Sequence, residues 1–449
     1  MSLAALVSIL ALAVVVIISC VKEEIHPGIL GIGFAILVGG TVANMKGTAV
    51  FALFPTSLFM ILLGVCYLFA MANVNGTMSK FTAYAVRLCK GNVTLVPLMI
   101  FLLTTLITTI GPGNIASTAL MAPVAMAIAG RIGLSAFLMT LVVVGAANGA
   151  AFSPIAPTGI ISNTLIADKI APVMTEMANV SLSSLAWKIH WNSEIAQTVV
   201  NLTGFLALGG LTWIAKQKKE KLDIDEIAPK PEPFTTKQIY TLIAIAVLLI
   251  MVIIPAMPAF KAITPVWIKN ITANVGTIAF VLATILLILE AANPKEVIKA
   301  VPWGAIILVT GVTCLVSVMD KAGGLAALVS IISGVSTPVT VNGWLGLITG
   351  VLSAYSSSSG VICPMFLPMV PGLIKDLGGG DPVALISSIN VGAHLVDSSP
   401  LSTLGAICIA CAGEHENKTK LFRNLLIWGL SMSVVGAFAC LIFFGILGL

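Results

Sequence analysis

Ser356-Ser357-Ser358-Ser359-Gly360 lies between two apolar segments, Trp344–Tyr355 and Val361–Ile374. A Gly/Ser-rich tract of this kind is usually a flexible linker. Here each flanking segment is too short to span the hydrocarbon core of a bilayer, which takes about 20 helical residues. Asp397-Ser398-Ser399-Pro400 interrupts a further apolar segment in the same way. Glycine and hydroxyl residues inside apolar segments are typical of broken membrane helices around a transport site.

The composition of the chain is that of a membrane protein. Of its 449 residues 58% are hydrophobic and 9% are charged, whereas about 25% of residues are charged in soluble domains. The net charge of +5 does not indicate nucleic-acid binding, because the basic residues lie in short loops between apolar segments. Of the eight cysteines, Cys408 and Cys411 lie one helical turn apart, but no paired histidines or second cysteine cluster completes a metal set, so we expect no cofactor. We predict an all-α, multi-pass protein of the cell (inner) membrane, surrounded by lipid.

The chain divides into two halves that carry the same order of segments. Leu120-Met121-Ala122-Pro123 pairs with Met365-Phe366-Leu367-Pro368, and Ser153-Pro154 pairs with Ser399-Pro400, at offsets of 245 and 246 residues. Near-equal offsets in two separate motifs indicate an internal duplication. In the first half we predict spans Leu3–Ser19, Gly28–Ala43 and Ala49–Met71, a surface helix Ser79–Lys90, a hairpin of Leu95–Thr109 and Ile115–Ala129, a segment Leu134–Ile166 broken at Asn148-Gly149 and at residues 153–159, an amphipathic stretch Asp168–Ile195 and a span Gln197–Ala215. In the second half we predict spans Ile239–Ile254, Ala273–Leu289 and Trp303–Met319, a surface stretch Gly323–Thr337, a hairpin Trp344–Ile374, a broken helix Val383–Ala410 and a span Leu421–Leu449.

The hairpins determine the predicted topology. Arms of 15 residues rise only about 22 Å as helices, less than the ~30 Å core, so each hairpin re-enters on one side. Each half then crosses five times, and an odd number of crossings inverts the second half relative to the first. With the hydrophilic linker 216–237 inside, 16 of the 23 lysines and arginines lie inside, which places both termini outside.

The tips and breaks carry groups suited to a small anion and its cation. Helix N-termini attract carboxylates, and the side-chain oxygens of Asn114, Ser358, Ser359, Ser402 and Thr403 suit Na⁺. None of the four segments contains Lys or Arg, so an anion would be held by dipoles, amides, hydroxyls and co-bound cations. An alternative is that the small residues only ease helix packing. Four clusters at duplicated positions favour a site.

Ionisable residues inside apolar segments are functional by default. Asp397 and His394 are of this kind, and their counterparts in the first half, Ala151 and Asn148, are neutral. Any role for them is therefore asymmetric, and for His394 a helix-packing contact is the alternative. Glu194 and Glu290 lie at segment ends, where we expect ordinary boundary charges.

These motifs resemble the divalent-anion/Na⁺ symporter group of the ion-transporter superfamily, which carries Ser-Asn-Thr at each hairpin tip before a Leu-Pro. The tips here read Gly113-Asn114-Ile115 and Ser358-Ser359-Gly360, so Asn114 alone is retained outright. The run from His394 to Thr403 most resembles the malonate-carrier (MatC-like) dicarboxylate permeases. The resemblance covers nearly the whole chain.

The resemblance implies an elevator mechanism and a homodimer formed through the scaffold. It implies scaffold helices at 1–92 and 238–340, transport halves at 93–215 and 341–449, and a cytoplasmic linker at 216–237. We assign substrate binding to Gly113, Asn114, Ser117, Ser153, Pro157, Thr158, Ser358, Ser359, Gly360, Ser402 and Thr403. Na⁺ binding is assigned, around the two tips, to Thr109, Gly113, Asn114, Asn148, Ser358, Asp397, Ser402 and Thr403.

We therefore expect a secondary active transporter that imports a small dicarboxylate, malonate or a four-carbon acid, with Na⁺. Moving a dianion inward against 100 mV costs about 4.6 kcal/mol, at ~2.3 kcal/mol per charge, so at least two cations should accompany it. One alternative is a cation/proton antiporter or oxyanion transporter of the same superfamily, in which Asp397 and His394 relay protons. Another is the membrane subunit of a binding-protein-dependent permease. An enzyme is not expected, because His394, Asp397 and Ser398 lie too close along one segment to form a hydrolase triad.

Overall fold

A computed structural model describes residues 2–22, 24–87, 91–174, 181–217, 221–222, 230–254, 265–271, 274–413 and 416–449. These residues are almost entirely helical. Most of the predicted linker, residues 218–220 and 223–229, lies outside the described residues, as do residues 88–90 of the predicted surface helix.

The described part of the first half contains eleven helices and several tighter or wider turns. The helices are α1 Leu3–Val21, α2 Pro27–Thr41, α3 Gly47–Phe51, α4 Thr56–Val74, α5 Thr77–Val86, α6 Val96–Thr109, α7 Gly113–Arg131, α8 Ala136–Ala150, α9 Pro157–Leu165, α10 Leu182–Phe205 and α11 Leu211–Lys216. 3₁₀ turns lie at Val93–Leu95 and Ala171–Val173, and π-helical turns at Ile166–Ile170 and Leu206–Gly210.

The described part of the second half contains twelve helices. Its helices are α12 Thr236–Ile253, α13 Val266–Ile271, α14 Val275–Ile288, α15 Pro294–Ala300, α16 Trp303–Lys321, α17 Gly324–Gly334, α18 Val341–Ser353, α19 Cys363–Phe366, α20 Val370–Leu377, α21 Pro382–Leu395, α22 Thr403–Cys411 and α23 Lys418–Cys440. π-helical turns lie at Ser358–Ile362 and Leu441–Ile446, and 3₁₀ turns at Leu367–Met369 and Val396–Ser398. A two-residue antiparallel pair joins β1 Gly91–Asn92 to β2 Lys221–Leu222.

Many helices begin at a polar cap that the sequence supplies. Ser135 Oγ accepts from Leu138 N at 3.3 Å and Asn417 Oδ1 accepts from Lys420 N at 2.9 Å. Thr235 and Gln238 form a reciprocal capping box at the start of α12. Such caps satisfy backbone N–H groups that a helix start leaves unpaired.

Six helices of the described chain are long and apolar enough to cross a membrane. They span Thr56–Val74, Gly113–Arg131, Leu182–Lys216, Trp303–Lys321, Ser358–Leu377 and Lys418–Ile446, and eight shorter apolar helices accompany them. The predicted all-α class is confirmed, and the spans are those of a multi-pass membrane protein.

Two close helix crossings join the halves. A Cβ on Gly31 of α2 would lie 2.8 Å from the Gly311 carbonyl oxygen of α16, and one on Gly64 of α4 would lie 2.7 Å from the Gly276 carbonyl oxygen of α14. Small residues allow such close backbone approach in membranes. Each crossing pairs the second long helix of one half with the third of the other, the reciprocal pairing expected of two halves related by a pseudo-twofold axis.

Several predicted segment boundaries were wrong. The span Ala49–Met71 is interrupted at Ala52–Pro55, because Pro55 cannot continue a helix from α3 into α4. Asn148-Gly149 does not break α8, which runs to Ala150. The stretches predicted as Asp168–Ile195 and Gln197–Ala215 share one helix, α10, which passes through Glu194 without interruption.

The hairpin arms are also longer than predicted. The second arm of the first hairpin, α7, has 19 residues because Gly113 and Asn114 belong to its first turn and its helix continues to Arg131. The corresponding run in the second hairpin, Ser358–Leu377, has 20 residues. Both arms are therefore long enough to cross the membrane, and the predicted re-entrant path does not follow from their length.

Candidate substrate and cation site

The first hairpin tip depends on two glycines. Gly111 and Gly113 have φ of +133° and +85°, a region that side chains other than glycine rarely adopt. A Cβ on Gly111 would lie 2.2 Å from the Phe69 ring of α4, and one on Gly113 would lie 3.0 Å from Pro157 Cδ at the start of α9. The tip therefore packs directly against α4 and α9.

At the second hairpin tip, neighbouring serines make different hydrogen bonds. Ser357 Oγ accepts from Gly360 N at 3.0 Å and so caps the turn that follows. Ser358 Oγ donates to Asp397 Oδ1 at 2.8 Å. Since that bond uses the single hydroxyl proton of Ser358, Ser353 Oγ, 2.7 Å away, is the donor in their contact. Ser358 thus joins the hairpin to the broken helix α21–α22.

The two broken helices have the same backbone geometry, 246 residues apart. In the first, Ser153 N donates to Ala150 O and Ala156 N donates to Ser153 O; in the second, Ser399 N donates to Val396 O and Ser402 N donates to Ser399 O, all at 2.9–3.0 Å. A Cβ on Gly159 would lie 1.9 Å from the Ser153 carbonyl oxygen, and one on Gly405 would lie 2.1 Å from that of Ser399. Only glycine fits either position, because the chain folds back over the next helical turn.

A directional hydrogen-bond chain crosses between the halves. His394 Nδ1 lies 2.9 Å from the Asn390 carbonyl oxygen, so Nδ1 carries the proton. In a neutral imidazole Nε2 is then the acceptor, and Ser359 Oγ at 3.1 Å donates to it. Thr158 Oγ1 lies 3.1 Å from Ser359 Oγ and donates its hydroxyl proton to that oxygen. The chain joins α9 of the first half to the tip and broken helix of the second.

A second link runs through two asparagines. Asn114 Nδ2 donates to Asn148 Oδ1 at 3.0 Å, and Asn148 Nδ2 donates to the His394 carbonyl oxygen at 2.9 Å. Phe152 packs edge-on against the His394 ring, 4.8 Å between centroids. His394 and Asn148 therefore hold the two broken helices together behind the tips.

Two cavities of about 290 and 280 Å³ lie in front of these contacts. Both include Asn114, Ile115, Leu308, Ser357 and Ser359 in their walls, so they adjoin. The larger one lies between the tips and α4 and α16, and the smaller one contains the Asp397 carboxylate. The first turns of α7, α9 and α22 and the turn at Ser358 contribute to the walls, and no lysine or arginine among the described residues does.

The predicted site residues fall into two groups. Those that line a cavity are Gly113, Asn114, Pro157, Thr158, Ser358, Ser359, Gly360, Asp397, Ser402 and Thr403. Ser117, Ser153, Thr109 and Asn148 line neither. Ser153 is buried and donates to the Thr109 carbonyl oxygen at 2.8 Å, Asn148 bonds Asn114, and Ser117 is fully buried in α7. These four lie behind the tips.

Sequence reasoning missed the cavity wall and one buried acid. Phe69 and Leu308, on α4 and α16, face the tips, but apolar residues of a span carry no signal that separates them from lipid-facing neighbours. Glu194 is only 7% exposed and is not the boundary charge we predicted. The polar residues His190, Glu194, Gln197 and Asn201 recur at helical spacing, a pattern that would have indicated one continuous, partly polar helix.

Comparisons with known proteins agree with this architecture. Residues 1–151 match the family model described as the N-terminus of the dicarboxylate carrier protein MatC. The YdaH transporter of Alcanivorax borkumensis is 15% identical with a TM-score of 0.60, covering 94% of this chain and 98% of that one. MtrF of Neisseria gonorrhoeae, described within a class of antimetabolite efflux pumps, is 12% identical with a TM-score of 0.54, covering 98% and 94%. No curated protein matches the chain significantly.

The family model and both structures describe transporters, which supports a transporter and not an enzyme. The chain shares a transporter fold over nearly its whole length and resembles the dicarboxylate carriers over its first 151 residues.

Proposed function

We propose that the protein is a secondary active transporter that imports a small dicarboxylate together with Na⁺. One observation carries this proposal: helix starts from both halves meet at two adjoining cavities, and the walls, as far as the structure describes them, include no lysine or arginine. The match of residues 1–151 to a dicarboxylate carrier family supports the substrate class.

The helix starts are suited to a dianion. N–H groups at the first turns of α7 and α22 carry partial positive charge and can bind carboxylates without a formal cation. Because these starts come from both halves, the two carboxylates of a short diacid can each meet a separate set of N–H groups. The cavities, at about 290 and 280 Å³, suit a compact substrate.

The Asp397 carboxylate explains why a cation would be needed. It lies in the wall of the smaller cavity together with Ser358, Ser402 and Thr403. A dianion beside an unpaired carboxylate in a low-dielectric site is strongly disfavoured. Na⁺ held by Asp397 and these hydroxyl oxygens removes that repulsion, so cation and substrate favour each other's binding. Asn114 and backbone carbonyls would hold a second Na⁺ at the first tip.

In this proposal the substrate crosses the membrane by an elevator mechanism, in which the hairpins and broken helices carry it. The tips and broken helices bond to one another through Asn114, Thr158, Ser359 and His394, whereas α4 and α16 contribute mainly apolar wall residues. Residues 93–215 and 341–449 would move as one body against the helices of 1–92 and 238–340. We further propose inverted repeats, a homodimer through the latter helices, an inner-membrane location and both termini outside, with residues 216–237 as the cytoplasmic linker.

Thermal unfolding of the purified protein with a ligand panel tests the binding proposal. Malonate, succinate, malate, citrate and sulfate are each added in Na⁺ or in K⁺. We expect malonate or a four-carbon acid to raise the midpoint in Na⁺ far more than in K⁺. Stabilisation by none of the dicarboxylates in either cation would contradict the proposal, and stabilisation by sulfate alone would favour an oxyanion transporter.

A cation/proton antiporter is the second candidate. Both Asp397 and His394 are buried and bonded to the second tip through Ser358 and Ser359, so a proton there could be exchanged for Na⁺. Substrate-free Na⁺/H⁺ exchange in proteoliposomes discriminates the two functions, since the dicarboxylate symporter requires its substrate.

A further inference from the structure

A stripe of buried polar side chains lies on one face of α10, away from the cavities. His190, Ser193, Glu194, Gln197 and Asn201 recur at helical spacing and are each no more than 7% exposed. Four of their polar atoms, His190 Nδ1, Ser193 Oγ, Glu194 Oε2 and Gln197 Nε2, have no hydrogen-bond partner among the described residues. Buried polar groups are normally paired, so four orphans on one face indicate a site.

The stripe faces α8 through two glycines. A Cβ on Gly149 would lie 2.6 Å from Glu194 Oε2, and one on Gly145 would lie 2.7 Å from Asn201 Cγ. The absence of side chains at these two positions leaves the room that the polar groups occupy. Glu194 lies 12 residues into α10, which is about 18 Å along the helix, so it is well inside the span.

Glu194 has no positively charged neighbour on the helices around it. Helices α6, α8 and α9 contain no ionisable side chain, and His394 of α21 bonds Ser359 and Asn390 instead. The cations of α23, Lys418, Lys420 and Arg423, lie within its first two turns, and Lys188 lies near the start of α10. Of the groups on its own helix, His190 is one turn away.

The carboxyl touches both elements that position the first tip. Glu194 Oε1 accepts from Thr105 Oγ1 of α6 at 3.4 Å, and a hydroxyl interaction with Thr198 lies on its own helix. Four residues beyond Thr105, the Thr109 carbonyl accepts from Ser153. Next to Gly149, Asn148 bonds Asn114 of the tip. A charge change at Glu194 therefore acts on α6 and α8, one layer behind the tip.

We propose that Glu194 is a proton-binding site that moves with the substrate and Na⁺ sites, so that one H⁺ is co-transported. Protonation converts a buried, unpaired carboxylate to a neutral acid, which removes the cost of an isolated charge inside the membrane. Na⁺ is a poorer occupant, because the carboxyl contacts two hydroxyls, those of Thr105 and Thr198, whereas at least three lie with Asp397 in the wall of the smaller cavity. His190, with its free Nδ1, lies on the stripe where a proton would pass. This inference rests on the proposed dicarboxylate transport.

Proton flux measured with substrate uptake tests the proposal. Proteoliposomes contain a pH dye, the membrane potential is clamped, and Na⁺ is equal on both sides. We expect added malonate or succinate to acidify the lumen of wild-type vesicles. Glu194→Gln should still exchange labelled substrate but lose at least nine-tenths of the acidification. Glu290→Gln, the same change at an exposed position, should behave as wild type.

A second variant keeps the test informative should Glu194→Gln not fold. Thr105→Val removes the hydroxyl that donates to the charged carboxylate, so the pH midpoint of the proton flux should move upward. Substrate uptake without lumen acidification in the wild type, or full acidification with Glu194→Gln, overturns the proposal. Absence of any wild-type dicarboxylate uptake instead contradicts the proposed function. In that case infrared spectra of the purified protein test whether Glu194 binds a proton. A carboxylic acid band that titrates in the wild type and is absent from Glu194→Gln supports the proton site. Identical spectra of the two proteins overturn it.

Discussion

At the scale of single residues, four consecutive serines have separate surroundings. Ser357 caps a turn, Ser358 donates to Asp397, and Ser359 lies between Thr158 and His394. From the sequence we assigned Ser358 and Ser359 to substrate binding, by counting back from Pro368 to the hairpin tip. Their partners were not predictable, because hydroxyl partners depend on how separate helices are placed.

Ser358→Ala is predicted to weaken Na⁺ binding. A hydrogen bond to a charged group contributes about 1.5–3 kcal/mol, so the Na⁺ concentration for half-maximal effect should rise about 10- to 100-fold. Ser356→Ala, two residues away in the wall of the same cavity but with no hydrogen bond to Asp397 among the described residues, is the matched control. Sodium titrations of substrate binding measure both. Equal Na⁺ dependence in the two variants would remove Ser358 from the site.

Residue-level prediction was weakest where burial decides the role. Ser117 and Ser153 have the right chemistry and the right segment but line neither cavity. Glu194 was assigned to a segment end because the polar stripe of α10 lowers the local hydropathy there. Which face of a helix is covered by protein and which by lipid is set by tertiary packing, which composition does not encode.

At the scale of elements, the two breaks are the most regular feature of the molecule. Their hydrogen bonds and their required glycines repeat at one offset. The sequence predicted both breaks and their equivalence, from the Ser-Pro pairs at 153–154 and 399–400. It also predicted a break at Asn148-Gly149 that does not occur, since an asparagine bonded to Asn114 and His394 is tolerated within a helix.

Gly405→Ala is predicted to destabilise the protein. Its Cβ would meet the Ser399 carbonyl at 2.1 Å, and overpacking of this kind typically costs about 1–3 kcal/mol. Gly334→Ala is the control, because a Cβ there meets nothing within 4 Å. Thermal unfolding in detergent compares them. A midpoint for Gly405→Ala equal to that of the control would show that the break adapts without cost.

At the scale of the whole molecule, the order of elements was predictable and their relative placement was not. Duplicated motifs indicated two equivalent halves, and the reciprocal glycine crossings of α2 with α16 and of α4 with α14 agree with that. The contact of the second tip with α16 could not be predicted, because it joins segments with no shared motif.

A cross-link between tip and wall tests the elevator. A Cβ on Gly360 would lie 2.8 Å from Leu308 Cγ, so cysteines at 308 and 360 are within disulfide range, about 3.5–4.5 Å between Cβ atoms. We expect oxidation of Leu308→Cys/Gly360→Cys to abolish the uptake that the reduced double variant retains, and reductant to return uptake to that level, since the tip must leave α16 during transport. The same vesicles before and after reduction are the matched comparison. Undiminished uptake by fully cross-linked protein would exclude that movement.

The most direct test of Na⁺-coupled dicarboxylate import is the uptake of labelled malonate and succinate into proteoliposomes. The pH is equal on both sides, and the external cation is Na⁺ or K⁺. In the proposed site a dianion binds beside the Asp397 carboxylate only when a cation is held there too, so we predict accumulation in Na⁺ and little above background in K⁺. Uptake of equal rate and extent in the two cations would contradict Na⁺-coupled dicarboxylate import.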